Sequence, residues 1–127
     1  YFDSIIGWHK DRFGVEGLTK ECIGYENGVL GCVASALQAF TAPGEAVLLH
    51  SPTYIGFTGT MNNNGRKMVL SDLVRDENGV WRMDYEDMEK KIVENHIHCA
   101  IFCSPHNPTG RVWERRDRKG DGDLSET

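Results

Sequence analysis

The sequence predicts an α/β fold, a mostly parallel sheet with helices on its faces. Segments with helical and strand periodicity alternate along the chain, and no internal repeat interrupts them. Two continuous apolar runs, at 46–49 and 99–103, have the pattern of strands buried on both faces.

The elements follow in order. Phe2, Ile5, Ile6, His9 and Phe13 recur at helical spacing with Gly14 as the stop, predicting an amphipathic helix over 1–14. No cap residue precedes Tyr1, so the chain is expected to be an internal piece of a larger protein. A linker and a short extended stretch at 22–25 come next. Asn27-Gly28 then leads into a second helical stripe of Val29, Val33, Ala36, Leu37 and Phe40, which the turn Thr41-Ala42-Pro43-Gly44 ends. After the strand at 46–49, Ser51-Pro52-Thr53 breaks the chain direction, and a helix is expected over 54–62. A strand at 67–70 precedes the segment 74–83, where Asn78-Gly79 is a strong hairpin signal. Asp84 can cap a helix to about residue 94, with Asp87 in its acidic first turn. The run 99–103 is the third buried strand, and 104–110 is the loop that leaves it.

Composition narrows the function classes. With 127 residues, 39% hydrophobic and 26% charged, the chain has the size and balance of one soluble globular unit. Its apolar runs are too short to cross a bilayer, and its start lacks the basic-then-apolar pattern of a signal peptide. The net charge is −5, and the one cationic cluster, Arg115, Arg116, Arg118 and Lys119, is interleaved with Asp117, Asp121 and Asp123. Nucleic-acid binding needs a basic face and is not expected. Cys22, Cys32, Cys99 and Cys103 fit no CxxC or zinc-ribbon spacing, and three lie in apolar segments, as expected of reduced thiols in a cytoplasmic protein. His96, His98 and Cys99 are candidate metal ligands by proximity alone, and no metal site is expected there. Residues 114–123 contain no apolar side chain and two glycines, so the tail 114–127 is expected to be disordered.

Ligands of open α/β sheets sit beyond the carboxyl ends of the strands. Three loops qualify. In the first, Gly28 opens a helix whose free amides and positive dipole end suit a phosphate; a plain turn would look the same. In the second, Pro52 stiffens a loop that can hold Tyr54 above a flat ligand, or the ring can simply pack in the core. In the third, Pro105 and Pro108 restrict Ser104-Pro105-His106-Asn107-Pro108-Thr109-Gly110, so Asn107 can be held toward a ligand or the loop can be a rigid turn.

The string Asn107-Pro108-Thr109-Gly110 resembles the N-P-T-G signature of class I and II aminotransferases. Ser-Pro-His before it and Arg111-Val112-Trp113 after it are most similar to the MalY/PatB-type carbon–sulfur lyases, the cystathionine β-lyase branch. The resemblance implies that residues 1–113 form part of the large domain of an aspartate aminotransferase-like fold that binds pyridoxal 5′-phosphate. It implies phosphate contacts from Gly28, Val29 and Leu30, ring stacking by Tyr54 and a bond from Asn107 to the ring hydroxyl. It further implies an amino-acid substrate, a homodimer, and β-elimination releasing thiol, pyruvate and ammonia from cysteine-type amino acids. Transamination and a non-catalytic interaction module are the alternatives. Gly31-Cys32 departs from the branch pattern, and residues 114–127 do not continue it, as a truncated or frame-shifted product would not. Family members link the cofactor to a lysine in an S-x-x-K context and place an aspartate opposite the pyridine nitrogen, both downstream of the asparagine loop. None of Lys10, Lys20, Lys67, Lys90, Lys91 and Lys119 has that context. No catalytic residue is therefore assigned, and the chain alone is expected to be inactive.

Overall fold

The computed structural model describes residues 1–114 and Asp117. The elements run α1 (Phe2–Phe13), a 3-10 turn (Lys20–Cys22), α2 (Val29–Phe40), β1 (Ala46–Ser51), α3 (Ile55–Asn63), β2 (Lys67–Asp72), β3 (Val74–Arg75), β4 (Trp81–Arg82) and α4 (Tyr85–Asn95). The order is that expected, with two corrections. Cys22 closes the 3-10 turn through its N–H to Thr19 C=O at 3.0 Å, so the extended stretch begins only at Ile23. The run 99–103 forms an isolated parallel bridge, Ala100 opposite Leu48, and not a full third strand. Leu48 N–H donates to Cys99 C=O at 3.0 Å, and Ile101 N–H donates to Leu48 C=O at 2.9 Å. No strand lies outside this run among the described residues, so those two bonds carry its pairing.

β1 and β2 pair in parallel, from Ala46 opposite Lys67 to Ser51 opposite Asp72. Because alternate residues of a strand face opposite ways, β1 feeds two cores. Val47 and Leu49 pack with Leu37, Phe57 and Met61 of α2 and α3. Ala46 and Leu48 pack with Leu73, Met83, Met88, Ile97 and Trp113 on the other face, where α4 lies. The doubly covered sheet is the arrangement that the apolar run 46–49 demands. Only part of the α2 stripe meets it: Leu37 is buried and Val33 half-buried, whereas Val29 and Phe40 are exposed.

Side chains close the ends of the helices. Asp84 caps α4 by accepting the Asp87 N–H at 3.0 Å. Buried Arg66 donates to the Leu37 and Thr41 carbonyls at 3.1 and 2.6 Å, and to Thr41 Oγ1 at 2.9 Å. A cation thus meets the negative end of the α2 dipole and satisfies carbonyls the helix leaves open. In the β3–β4 hairpin the Asp76 carboxylate accepts the Asn78 and Val80 N–H groups, with Gly79 at φ 74°. Gly14, at φ 65°, ends α1 by donating to His9 and Lys10 carbonyls. None of the α1 residues is buried.

The expectation for the tail falls outside the described residues except at Glu114 and Asp117. Asp117 is buried, accepting the Glu114 N–H at 2.8 Å and an Arg111 N–H at 3.2 Å. Among the described residues no helix is long and apolar enough to cross a membrane, and no three His, Cys, Asp or Glu side chains gather as for a metal ion. The four cysteines are free.

The packing predicts a sharp contrast between two truncations. Leu48→Ala, at a residue 1% exposed, should lower the unfolding free energy by about 2–5 kcal/mol in urea titrations. Ile55→Ala, at 80% exposure, should stay within about 0.5 kcal/mol of the parent chain.

Candidate functional site

The chain passes from the end of α2 through a short turn into β1, so the first turn of α2 returns to the carboxyl end of that strand. β1 leaves into Pro52-Thr53-Tyr54 at the same end. The 99–103 run, parallel to β1, leaves there too, into 104–110. A cavity of about 520 Å³ lies where the three loops meet, and Gly28, Val29, Leu30, Tyr54 and Asn107 all line it. Asn27, which the family resemblance places in the phosphate segment with Gly28, also lines it, and Phe57 and Cys103, to which the sequence gave no site role, complete its wall.

Gly28 precedes α2 at φ 83°, ψ 164°, a backbone conformation strained for any other residue, and a Cβ added there would meet open space. No side chain caps this helix. Its first backward hydrogen bond runs from Cys32 N–H to Gly28 C=O at 3.1 Å, so the amides of Val29, Leu30 and Gly31 precede the helical ladder. The nearby Glu26 carboxylate accepts the Ser35 hydroxyl at 2.7 Å. Open amides at a positive helix end form an anion-binding arrangement. Tyr54 stands at the start of α3, part-exposed, edge-on to Phe57 with ring centroids 5.5 Å apart. The Asn107 side chain makes no hydrogen bond to a described residue, so its amide is available to a ligand. The loop that carries it is tied by His106 N–H to Arg111 C=O and Gly110 N–H to His106 C=O, both at 2.7 Å.

The sequence profile described as aminotransferase class I and II matches residues 6–119. The chain belongs to the class I and II aminotransferase family. The match runs past Trp113, where the sequence pattern was expected to stop. Cystathionine beta-lyase PatB of Bacillus subtilis is 35% identical over 122 residues, 96% of this chain and 31% of that protein. Cystalysin from Treponema denticola, whose crystal structure contains pyridoxal 5′-phosphate, superposes with a TM-score of 0.88 at 31% identity, over 98% of this chain and 31% of its own. The PLP-bound C–S lyase from Staphylococcus hominis has a TM-score of 0.88 at 26% identity, over 99% of this chain and 32% of its own. The chain therefore spans about a third of the length of the relatives it matches. Over that third it has the fold of the pyridoxal-phosphate enzymes of this family.

His50, His106 and Trp113 form a ring cluster to which the sequence pattern assigned no role. His106 Nε2–H donates to the Pro52 carbonyl at 2.8 Å, joining the asparagine loop to the tyrosine loop. Trp113 Nε1–H donates to Cys103 C=O at 2.8 Å, and its ring lies 5.7 Å from His106 and 6.1 Å from His50. Both histidines are buried, and their Nδ1 atoms have no hydrogen-bond partner among the described residues. The sequence signal was a histidine flanked by prolines in a loop, which does not reveal a partner 54 positions away.

His50 is pushed down to about 4, first by loss of hydration on burial and then by the neighbouring His106. A histidine whose pKa is depressed in the folded state gives stability that is present above its unfolded value near 6.5 and lost as pH falls toward 4. Thermal or urea unfolding should accordingly show a loss on the order of 3 kcal/mol from this group across that window. His50→Gln, which cannot titrate, should show a shallower fall; a parallel profile would refute the assignment.

Proposed function

We propose that this chain forms part of the cofactor site of a pyridoxal-phosphate-dependent carbon–sulfur β-lyase acting on cysteine-type amino acids with release of thiol, pyruvate and ammonia. The observation that carries the proposal is the convergence of Gly28, Val29, Leu30, Tyr54 and Asn107 on one cavity of about 520 Å³. Its residues fit the cofactor by chemistry. The glycine-led start of α2 offers amides and a positive dipole end to a dianionic phosphate, an attraction of about 0.3–2 kcal/mol from the dipole. Tyr54, on the wall of the cavity, can offer a ring face to the planar pyridine. The Asn107 amide offers a donor to the ring hydroxyl oxygen. When bound, pyridoxal phosphate supplies the electron sink for carbanion chemistry, and the protein supplies orientation and tuning.

Two lyases among the relatives support elimination over transamination as the first reading. The family's own description keeps amino-group transfer on the same scaffold as the second. None of the described lysines lines the cavity, so we further propose that the chain alone binds the cofactor without turning over substrate. A cytoplasmic location, supported by four free thiols, and a homodimer, supported by the exposed apolar residues of α1, belong to the same proposal.

Fluorescence titration tests the phosphate contact. Pyridoxal phosphate should bind saturably, and pyridoxal without the phosphate at least about tenfold more weakly, a difference of roughly 1.4 kcal/mol. Gly28→Ala, by straining the loop, should reduce that discrimination. Equal affinities for both compounds would remove the phosphate role from α2. With cystathionine and pyridoxal phosphate, pyruvate should form no faster than with the free cofactor.

A further inference from the structure

We propose that Gly56 is a positioning residue of this site: lacking a Cβ, it lets the Tyr54 ring fold back on the first turn of α3, a resting position the ring leaves to stack on a planar ligand. This deepens the function proposed above and rests on it for the identity of the ligand.

A Cβ at residue 56 would collide with Tyr54 Cε1 and stand 2.8 Å from its Cζ and 3.0 Å from Leu30 Cδ1. Carbon atoms in contact keep about 3.5–4.0 Å apart. The ring therefore occupies space that exists only because residue 56 is glycine. Backbone conformation gives no other reason for it, because Gly56 lies inside α3 and is not among the glycines at positive φ. A glycine inside a helix is less favourable than alanine there, so its presence calls for a packing reason. The edge-to-face contact with Phe57, at 86°, holds the folded-back ring. Its hydroxyl makes no hydrogen bond among the described residues, so no polar contact opposes release. Leu30, on the proposed phosphate turn, reaches the same point, so one missing methyl governs the spacing between two walls of the cavity.

For a ligand that needs the ring released, the apparent affinity is the intrinsic affinity multiplied by the fraction of time the ring is released. A methyl at 56 removes that competing state. Alanine also favours a helix, so the variant should fold; Gly56→Ser is a second probe. In 19F NMR of the chain labelled with 3-fluorotyrosine and without ligand, Gly56→Ala should move the Tyr54 resonance, identified by its loss in Tyr54→Phe. The signals of Tyr1, Tyr25 and Tyr85 should stay in place. Pyridoxal phosphate should bind Gly56→Ala about three- to tenfold more tightly, and the gain should vanish in a Tyr54→Ala background. An unmoved resonance, unchanged or weakened binding, or a gain that persists without Tyr54 would overturn the proposal. Failure of the parent chain to bind the cofactor at all would instead count against the proposed function, while the ligand-free NMR comparison would still decide the Gly56–Tyr54 contact.

Discussion

Leu48 pairs with Val69 of β2 along one edge of β1 and exchanges two hydrogen bonds with the 99–103 run along the other, while its side chain is sealed in the core with Met83, Met88 and Trp113. A strand held on both edges and both faces cannot shift register without exposing its apolar set or breaking its ladder. The positions of the three loops follow from that. Two parallel segments must end on the same side, and a helix that feeds β1 through a short turn must begin on that side. Gly28 and Asn107, separated by 79 positions in the sequence, thus line one cavity.

The ends of α2 are treated differently, and the difference is chemical. Its carbonyl end is closed by buried Arg66. At its amide end Gly28 provides no side-chain cap, and the Glu26 carboxylate that could have competed for the amides accepts from Ser35. Open amides exposed to solvent cost little when water can reach them, and they gain when an anion replaces the water. His106 and Trp113 make the other half of the cavity stiff by tying the asparagine loop to Pro52 and Cys103.

Much of this was legible in the sequence because it depends on local rules. The run 46–49 announced a doubly buried strand, Asp84 announced its cap, and the glycine–helix, Pro-Tyr and Asn-Pro-Thr-Gly loops announced the residues that line the cavity. What escaped depends on contacts between distant positions. The apolar run 99–103 looks like the other buried strand, yet among the described residues it pairs through one bridge, Ala100 opposite Leu48. Val29 and Phe40 obey the helical period of α2 but extend beyond the surface the sheet offers. The His106–Pro52 bond and the Tyr54–Gly56 overlap have no sequence signature, since each requires knowing where a side chain turns.

A single cradle of backbone amides, an aromatic face and a carboxamide is proposed to take one phosphorylated planar ligand. Amide-resolved NMR of the 15N-labelled chain during addition of pyridoxal phosphate tests it most directly. Saturable shifts should concentrate in the backbone amides of Val29, Leu30 and Gly31 and in the Asn107 side chain, with little change in α1 and α4. Shifts confined to lysine-bearing surfaces such as Lys90 and Lys91, with the α2 amides unmoved, would contradict it.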